Sequence, residues 1–269
     1  MKDAFLRKIL LLILLSGIFS NCSNSNTQKK NIPVRIKVLT YNIYHGENMK
    51  GRANLDMVSR IIRSVDPDIV ALQEVDSCTN RSGGVDIVDV IAKLTNMHHK
   101  FGKAMDYDNG AYGVAILSKY PILESVNHLL PASEVNEPRV ALEVSIDIPS
   151  GERLRFVGTH LDQTRDSQDR MKQANKINDV VLRADDNPVI LAGDLNARPG
   201  SEAMNIFLQK WIDATDGKAQ YNTTIERQRG RIDYIMYYPE YYWKVIEYRV
   251  INEKVASDHY PVLVTFELK

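Results

Sequence analysis

The chain has 269 residues, with 34 Lys+Arg against 34 Asp+Glu and a formal net charge of zero. That balance excludes a strongly basic nucleic-acid wrapper and an acidic solvating tail. Hydrophobic content of 44% and charged content of 25% are those of a globular protein, and two cysteines exclude a disulfide scaffold or a Cys-rich zinc module.

Residues 1–21 read as a targeting segment. Lys2, Arg7 and Lys8 precede an apolar run from Ile9 to Phe19, shorter than the roughly 20 residues that span a bilayer. Cys22 follows, and the order resembles a bacterial lipoprotein signal, in which that cysteine becomes the acylated N-terminus. A plain secretory signal is the alternative. Residues 22–32 are polar and aperiodic, as in a flexible linker. The expectation is an exported protein, either a cell-envelope lipoprotein (periplasmic or outer-membrane associated) or secreted and soluble. Without residues 1–21 the chain has 31 basic and 33 acidic residues. Cys78 then has no cysteine partner.

Residues 33–269 carry no repeat and no Gly/Ser-rich break, and read as one domain. Arg35–Ile43 is a strand. Leu55, Val58, Ile61, Ile62 and Val65 recur at helical spacing, and Pro67 stops that helix. Asp68–Val75 is a near-continuous apolar run, the mark of a buried strand. Further strands are expected at Tyr112–Ser118, Val140–Ile148, Leu154–His160, Pro188–Asp194, Ile232–Tyr238, Lys244–Ile251 and Pro261–Leu268. Helices are expected over Asp166–Arg183 and Ser201–Trp211. Many strands with few helices favour an α+β sandwich of two packed sheets flanked by helices.

Polar residues gather at the ends of these apolar strands. Asn42, Glu74, His160, Asp162, Asp194 and Asn196 follow four of them, Asp233 opens another, and Asp258-His259 precede the last. Burying such groups is costly unless they are paired or metal-bound, so their recurrence points to one cleft. Oxygen donors dominate the set, which suits Mg²⁺ (with Mn²⁺ as a substitute) held by carboxylates, waters and substrate phosphate. There is no HExxH or CxxC to suggest zinc. Metal, carboxylate and histidine together equip a protein to attack a phosphoester with water.

The segments LTYNI (39–43), ALQEV (71–75), GTHLD (158–162), AGDLNARPGS (192–201), RIDYI (231–235) and SDHYPV (257–262) occur in the order found in the endonuclease/exonuclease/phosphatase superfamily, which the chain resembles over residues 35–268. YGVAILSKYPI (112–122) and EPRVALEV (137–144) look like its middle region, in a small exported bacterial branch. The resemblance implies a four-layer, deoxyribonuclease I-like sandwich and a metal-dependent phosphohydrolase. It assigns Glu74, Asn42 and Asp258 to the metal, and Asp194 and Asn196 to the attacking water and the phosphate. His259 would face the phosphate, oriented by Asp233, and His160 would donate to a phosphoryl or leaving oxygen. Arg139 and Tyr112 are implied as auxiliary phosphate contacts, with a surface arginine and a core tyrosine as the alternative.

His45, Arg81 and Asp86 fall in cleft loops without an assigned role, and His98 and His99 read as surface residues. Gly193 is read as permitting close backbone approach. The tyrosine-rich run Tyr237–Trp243 reads as packing. The expected partner is a phosphoester, whether a lipid head group, a small diester or nucleic acid, with membrane contact through Cys22 if that residue is acylated. A monomer is expected. A nuclease of the same superfamily and a non-catalytic binding module retaining the fold are the rival readings.

Overall fold

The computed structural model describes residues 33–182, 187–215, 222–226 and 230–269. The targeting segment, Cys22, the linker and the expected end of the second helix at Arg183 lie outside the described residues. Among the described residues there are twelve strands and four α-helices: β1 (Arg35–Asn42), α1 (Leu55–Val65), β2 (Ile69–Ser77), α2 (Ile87–Thr95), β3 (His98–Tyr107), β4 (Gly110–Ser118), β5 (Ile122–Leu130), β6 (Arg139–Asp147), β7 (Arg153–His160), α3 (Gln168–Val181), β8 (Val189–Asp194), α4 (Glu202–Leu208), β9 (Ile212–Asp213), β10 (Asp233–Tyr238), β11 (Trp243–Val250) and β12 (Val262–Leu268).

The strands make two six-stranded sheets, ordered β11-β12-β1-β2-β4-β3 and β5-β6-β7-β8-β10-β9. Each sheet holds one parallel pair, β1 with β2 and β7 with β8, and its other pairs are antiparallel. A parallel pair needs a crossover, and α1 and α3 supply them. The facing sheets share a core that joins Ile36, Val38, Ala71 and Ile116 of the first to Leu142, Phe156, Ile190 and Ile235 of the second. On the outer face of the first sheet, Leu39, Val70 and Leu72 pack with Val58, Ile62, Val88 and Ile91 of α1 and α2. On the other outer face, Val157 and Leu191 pack with Ala174, Ile177 and Phe207 of α3 and α4. The result is the expected four-layer sandwich of two mixed sheets between helices.

Because β1, β2, β7 and β8 are covered on both faces, most of their residues are buried, and β2 and β8 open as unbroken apolar runs. Their C-terminal ends open between the sheets, and this is where the polar residues emerge. Trp243, Tyr237 and Phe266 pack edge-on in the shared core, so the aromatic run is mainly packing, with Tyr241 exposed.

Candidate active site

Asn42 ends β1 and is fully buried. Its Nδ2 donates to Glu74 Oε1 at 2.9 Å and to Asp194 Oδ2 at 3.3 Å, while Oδ1 accepts from the Tyr44 backbone at 3.1 Å. The side chain thus ties the two sheets together and orients two carboxylates. Glu74 sits in a β-bulge, where the register of β2 on β4 shifts between Leu72 and Val75 and its own φ is +56°. The bulge turns Glu74 out of the apolar alternation and into the cleft. Burial opposes its ionisation, but the approach of His45, the Asn42 hydrogen bond and the charge of His259 outweigh that and bring its pKa to about 2.

Asp194 closes β8 directly opposite Asp233 of β10. Gly193 has to be glycine, since a Cβ there would lie 2.1 Å from the Thr159 carbonyl oxygen of β7. The Asp194 Oδ1 accepts from the Asn196 backbone at 2.9 Å, an arrangement reached with Asn196 at φ +47°. Burial, reinforced by the charge of Asp233, raises the Asp194 pKa to about 7 in spite of nearby His259. On the other side of that pair, His259 Nδ1 lies 2.9 Å from Asp233 Oδ2, and its Nε2 lies 3.7 Å from Asp194 Oδ2. Burial alone would neutralise this ring. The two carboxylates on its two nitrogens outweigh it and raise its pKa to about 10. His259 is therefore an imidazolium at neutral pH.

His160, at the end of β7, has the opposite character. Burial and the adjacent Arg139 charge hold its pKa well below the ordinary value. Arg139 Nη1 lies 3.3 Å from Nδ1, and Nε2 lies 3.5 Å from Asp194 Oδ2. The Asn196 amide nitrogen lies 3.0 Å from that Nε2 and donates to the Leu161 carbonyl. Two histidines at one site thus divide into a cation and a neutral ring.

Glu74, His160, Asp194, Asn196, His259, Arg139 and Tyr112 all line one cavity of about 260 Å³. Arg139 is thus a buried cavity residue rather than a surface arginine, and Tyr112 is buried with part of its side chain on the cavity wall. Arg139 is buried, paired with Glu137 Oε2 at 2.8 Å and with Gln163. Tyr112 keeps its proton, because burial and the Glu74 charge push its pKa up. Asn42 and Asp233 stand behind the lining. Asp258 is half-buried; its charge adds to that of the two partner carboxylates in raising His259. Asp162 is buried and accepts from the Thr164 backbone at 3.1 Å, so it closes a turn.

His45 and Arg81 also line the cavity, as do Met105, Tyr107, Glu137 and Gln163, which the sequence reading missed. Asp86 does not. It caps α2, accepting from the Asp89 backbone. The missed residues belong to β3 or to the segments beside β6 and β7, and β3 is an edge strand without an apolar run to announce it.

A two-sheet sandwich with carboxylates and histidines converging at its strand ends defines a phosphoester hydrolase scaffold. Residues 39–259 match the Endonuclease/Exonuclease/phosphatase family, and the chain belongs to that family, whose members hydrolyse phosphoester bonds. It is similar to the protein cwh43 of Schizosaccharomyces pombe, 27% identical over 58% of this chain and 15% of that one. It is also similar to sphingomyelinase C of Leptospira interrogans, 25% identical over 84% of this chain and 51% of that one. The chain thus spans about half, or less, of these relatives. Among solved structures, the endonuclease/exonuclease/phosphatase protein of Beutenbergia cavernae superposes with a TM-score of 0.72 at 20% identity, covering 87% of this chain and 72% of that one. At that identity the likeness establishes the fold.

Proposed function

We propose that this chain is an exported, divalent-metal-dependent phosphoesterase that hydrolyses a phosphodiester or phosphomonoester by attack of water. The observation that carries the reading is the continuous line Asp233–His259–Asp194, facing Glu74 across one cavity. The donor set fits a hard cation at Glu74. That carboxylate is ionised, keeps 22% of its side chain exposed, and has one oxygen with no contact nearer than His45 at 3.7 Å. Asn42 orients it, and Asp258 is the proposed second carboxylate. Asp194, Asp233 and His259 also present ligand atoms within 4.8 Å of one another. An imidazolium bonded to Asp233 and facing Asp194 has no free lone pair for a metal, however, so within that group the ring itself supplies the positive charge.

A bound Mg²⁺ or Mn²⁺ would lower the pKa of water and neutralise phosphoryl charge. Asp194, with a pKa near 7, is matched to take a proton from the attacking water. His259, His160, Asn196 and Arg139 line the same cavity and would stabilise charge developing on the phosphoryl oxygens. The tethered, cell-envelope location is proposed from Cys22 and the basic-apolar segment before it.

Hydrolysis of bis-p-nitrophenyl phosphate by the purified protein tests this reading. It is expected with Mg²⁺ or Mn²⁺ and not with EDTA. Asp194→Ala and His259→Ala should each lower kcat/KM by about 10³-fold. Activity that survives EDTA, or unchanged activity in either variant, overturns the mechanism. Efficient cleavage of plasmid DNA would move the substrate to nucleic acid. Binding without hydrolysis under any metal would favour the non-catalytic module.

A further inference from the structure

The mechanism makes no use of Arg81, yet its side chain is held as firmly as any in the cleft. Arg81 Nε and Nη2 donate to the two oxygens of Asp76 at 2.6 and 2.8 Å, and Asp76 is fully buried and also accepts from Thr79 at 2.8 Å. The Arg81 backbone donates to Asp108 Oδ2 at 2.7 Å, which ties this loop to the β3–β4 turn. The guanidinium carbon lies 4.5 Å from the Tyr107 ring centre and 5.7 Å from that of Tyr112. One edge of the fork is therefore spent on Asp76 and its face is packed on two aromatic rings. Nη1 has no acceptor among the described residues, while Arg81 lines the cavity and keeps 29% of its side chain exposed.

A preorganised guanidinium with an unused edge is a receptor for a planar pair of anionic oxygens, bound with little further ordering. Its position relative to the reacting centre follows from contacts along one wall. Arg81 lies beside Tyr112, the charge of Arg139 acts on the Tyr112 hydroxyl, and Arg139 Nη1 lies 3.3 Å from His160 Nδ1. Two arginines thus flank one tyrosine. Arg139 belongs to the phosphate under attack, and Arg81 stands one side chain further out. A quaternary-ammonium head group is disfavoured at the outer position, because the Tyr107 and Tyr112 faces that would hold it already carry a guanidinium.

We propose that Arg81, backed by Asp76, Tyr107 and Tyr112, forms a specificity subsite for a second anionic group of the substrate, of the phosphate class, beyond the phosphoester that is cleaved. This rests on the phosphoesterase reading above and narrows it to substrates that carry an additional phosphate or equivalent oxyanion.

Calorimetric titration of the full protein in Mg²⁺ tests the subsite with phosphonates, whose C–P bonds are not hydrolysed. The probes are butane-1,4-bisphosphonate, butylphosphonate and 2-(trimethylammonio)ethylphosphonate. The bisphosphonate should bind at least tenfold more tightly than either of the others. Arg81→Gln, and also Arg81→Lys, which keeps the charge but loses the fork, should bring that ratio to about twofold or less. Because Arg81→Gln strands the buried Asp76, the double variant Asp76→Asn/Arg81→Gln removes both partners and should show the same loss. Equal binding of the bisphosphonate and butylphosphonate by the wild type, a ratio that persists in the double variant, or tightest binding of the ammonium probe would each overturn the subsite. The titration reads no turnover. Absence of the ratio in the wild type with intact hydrolysis of bis-p-nitrophenyl phosphate rejects the subsite alone, and a wild-type ratio without hydrolysis supports the subsite while rejecting the phosphoesterase reading.

Discussion

His259 keeps its proton because a carboxylate faces each of its nitrogens, and Asp233 is the nearer of the two at 2.9 Å. A ring whose pKa is raised to about 10 stays charged from acid pH up to that value. Replacing Asp233 by Asn takes away the larger favourable charge, so the ring should lose its proton at a lower pH. We expect Asp233→Asn to lower kcat/KM by about 10²-fold or more at pH 9, and by clearly less near pH 6, where the charges of Asp194 and Asp258 still favour the protonated ring. A pH–rate profile on bis-p-nitrophenyl phosphate checks this. Parallel loss at every pH would mean that Asp233 acts only by holding the backbone of β10 in place.

At the scale of elements, the arm from Ser133 to Arg139 depends on one buried residue of α3. Asp169 accepts from the Ser133 backbone at 2.7 Å, the Ser133 hydroxyl at 2.9 Å and the Asn136 amide at 2.8 Å, and the same arm leads into Arg139. The Ser133 backbone bond, against the burial cost, sets the Asp169 pKa below its ordinary value. A depressed carboxylate stabilises the fold fully above its unfolded pKa, about 3.9, and the contribution disappears as pH falls through the lower folded value. Asp169→Asn should thus cost about 1.5–3 kcal/mol in urea unfolding at pH 7, with the gap narrowing below about pH 4. An equal gap at pH 7 and pH 3 would refute the linkage. What the sequence disclosed has the same physical origin as what it hid. The strands that carry Asn42, Glu74, His160 and Asp194 are buried on both faces, and their apolar residues followed by polar ones mark both sheet and site. The overlooked strands β3, β5 and β9 all lie at sheet edges, where solvent accepts either polarity and no pattern is imposed. Helix α2 did leave a signal, since Asp86 caps it and Val88, Ile91 and Ala92 recur at helical spacing. Tyr107 and Met105 reach the cavity only because β3 pairs with β4, a fact that lies in the tertiary fold.

The whole molecule divides its charge unevenly. Residues 1–32 hold Lys2, Arg7, Lys8, Lys29 and Lys30 against Asp3, which leaves 29 basic and 33 acidic residues in the compact unit Pro33–Lys269. That unit contains every proposed site residue other than Cys22, and its net charge of −4 gives no attraction to an anionic bilayer. No helix among the described residues is long and apolar enough to cross a membrane. In the proposed envelope location, an acyl group on Cys22 is the proposed anchor. Lys29 and Lys30 would survive a Cys22→Ser change, but two lysines contribute only about 2 kcal/mol at an anionic surface, roughly a thirtyfold preference. Acyl chains contribute about 0.8 kcal/mol per buried CH₂, and stable anchoring needs more than one membrane signal. Cys22→Ser should therefore shift the protein from the detergent phase to the aqueous phase in Triton X-114 partitioning. Its kcat/KM on soluble bis-p-nitrophenyl phosphate should stay within about twofold of wild type, because no group that acts on that substrate has changed. Retention of the variant in the detergent phase would assign membrane attachment to the domain surface and remove Cys22 from the account.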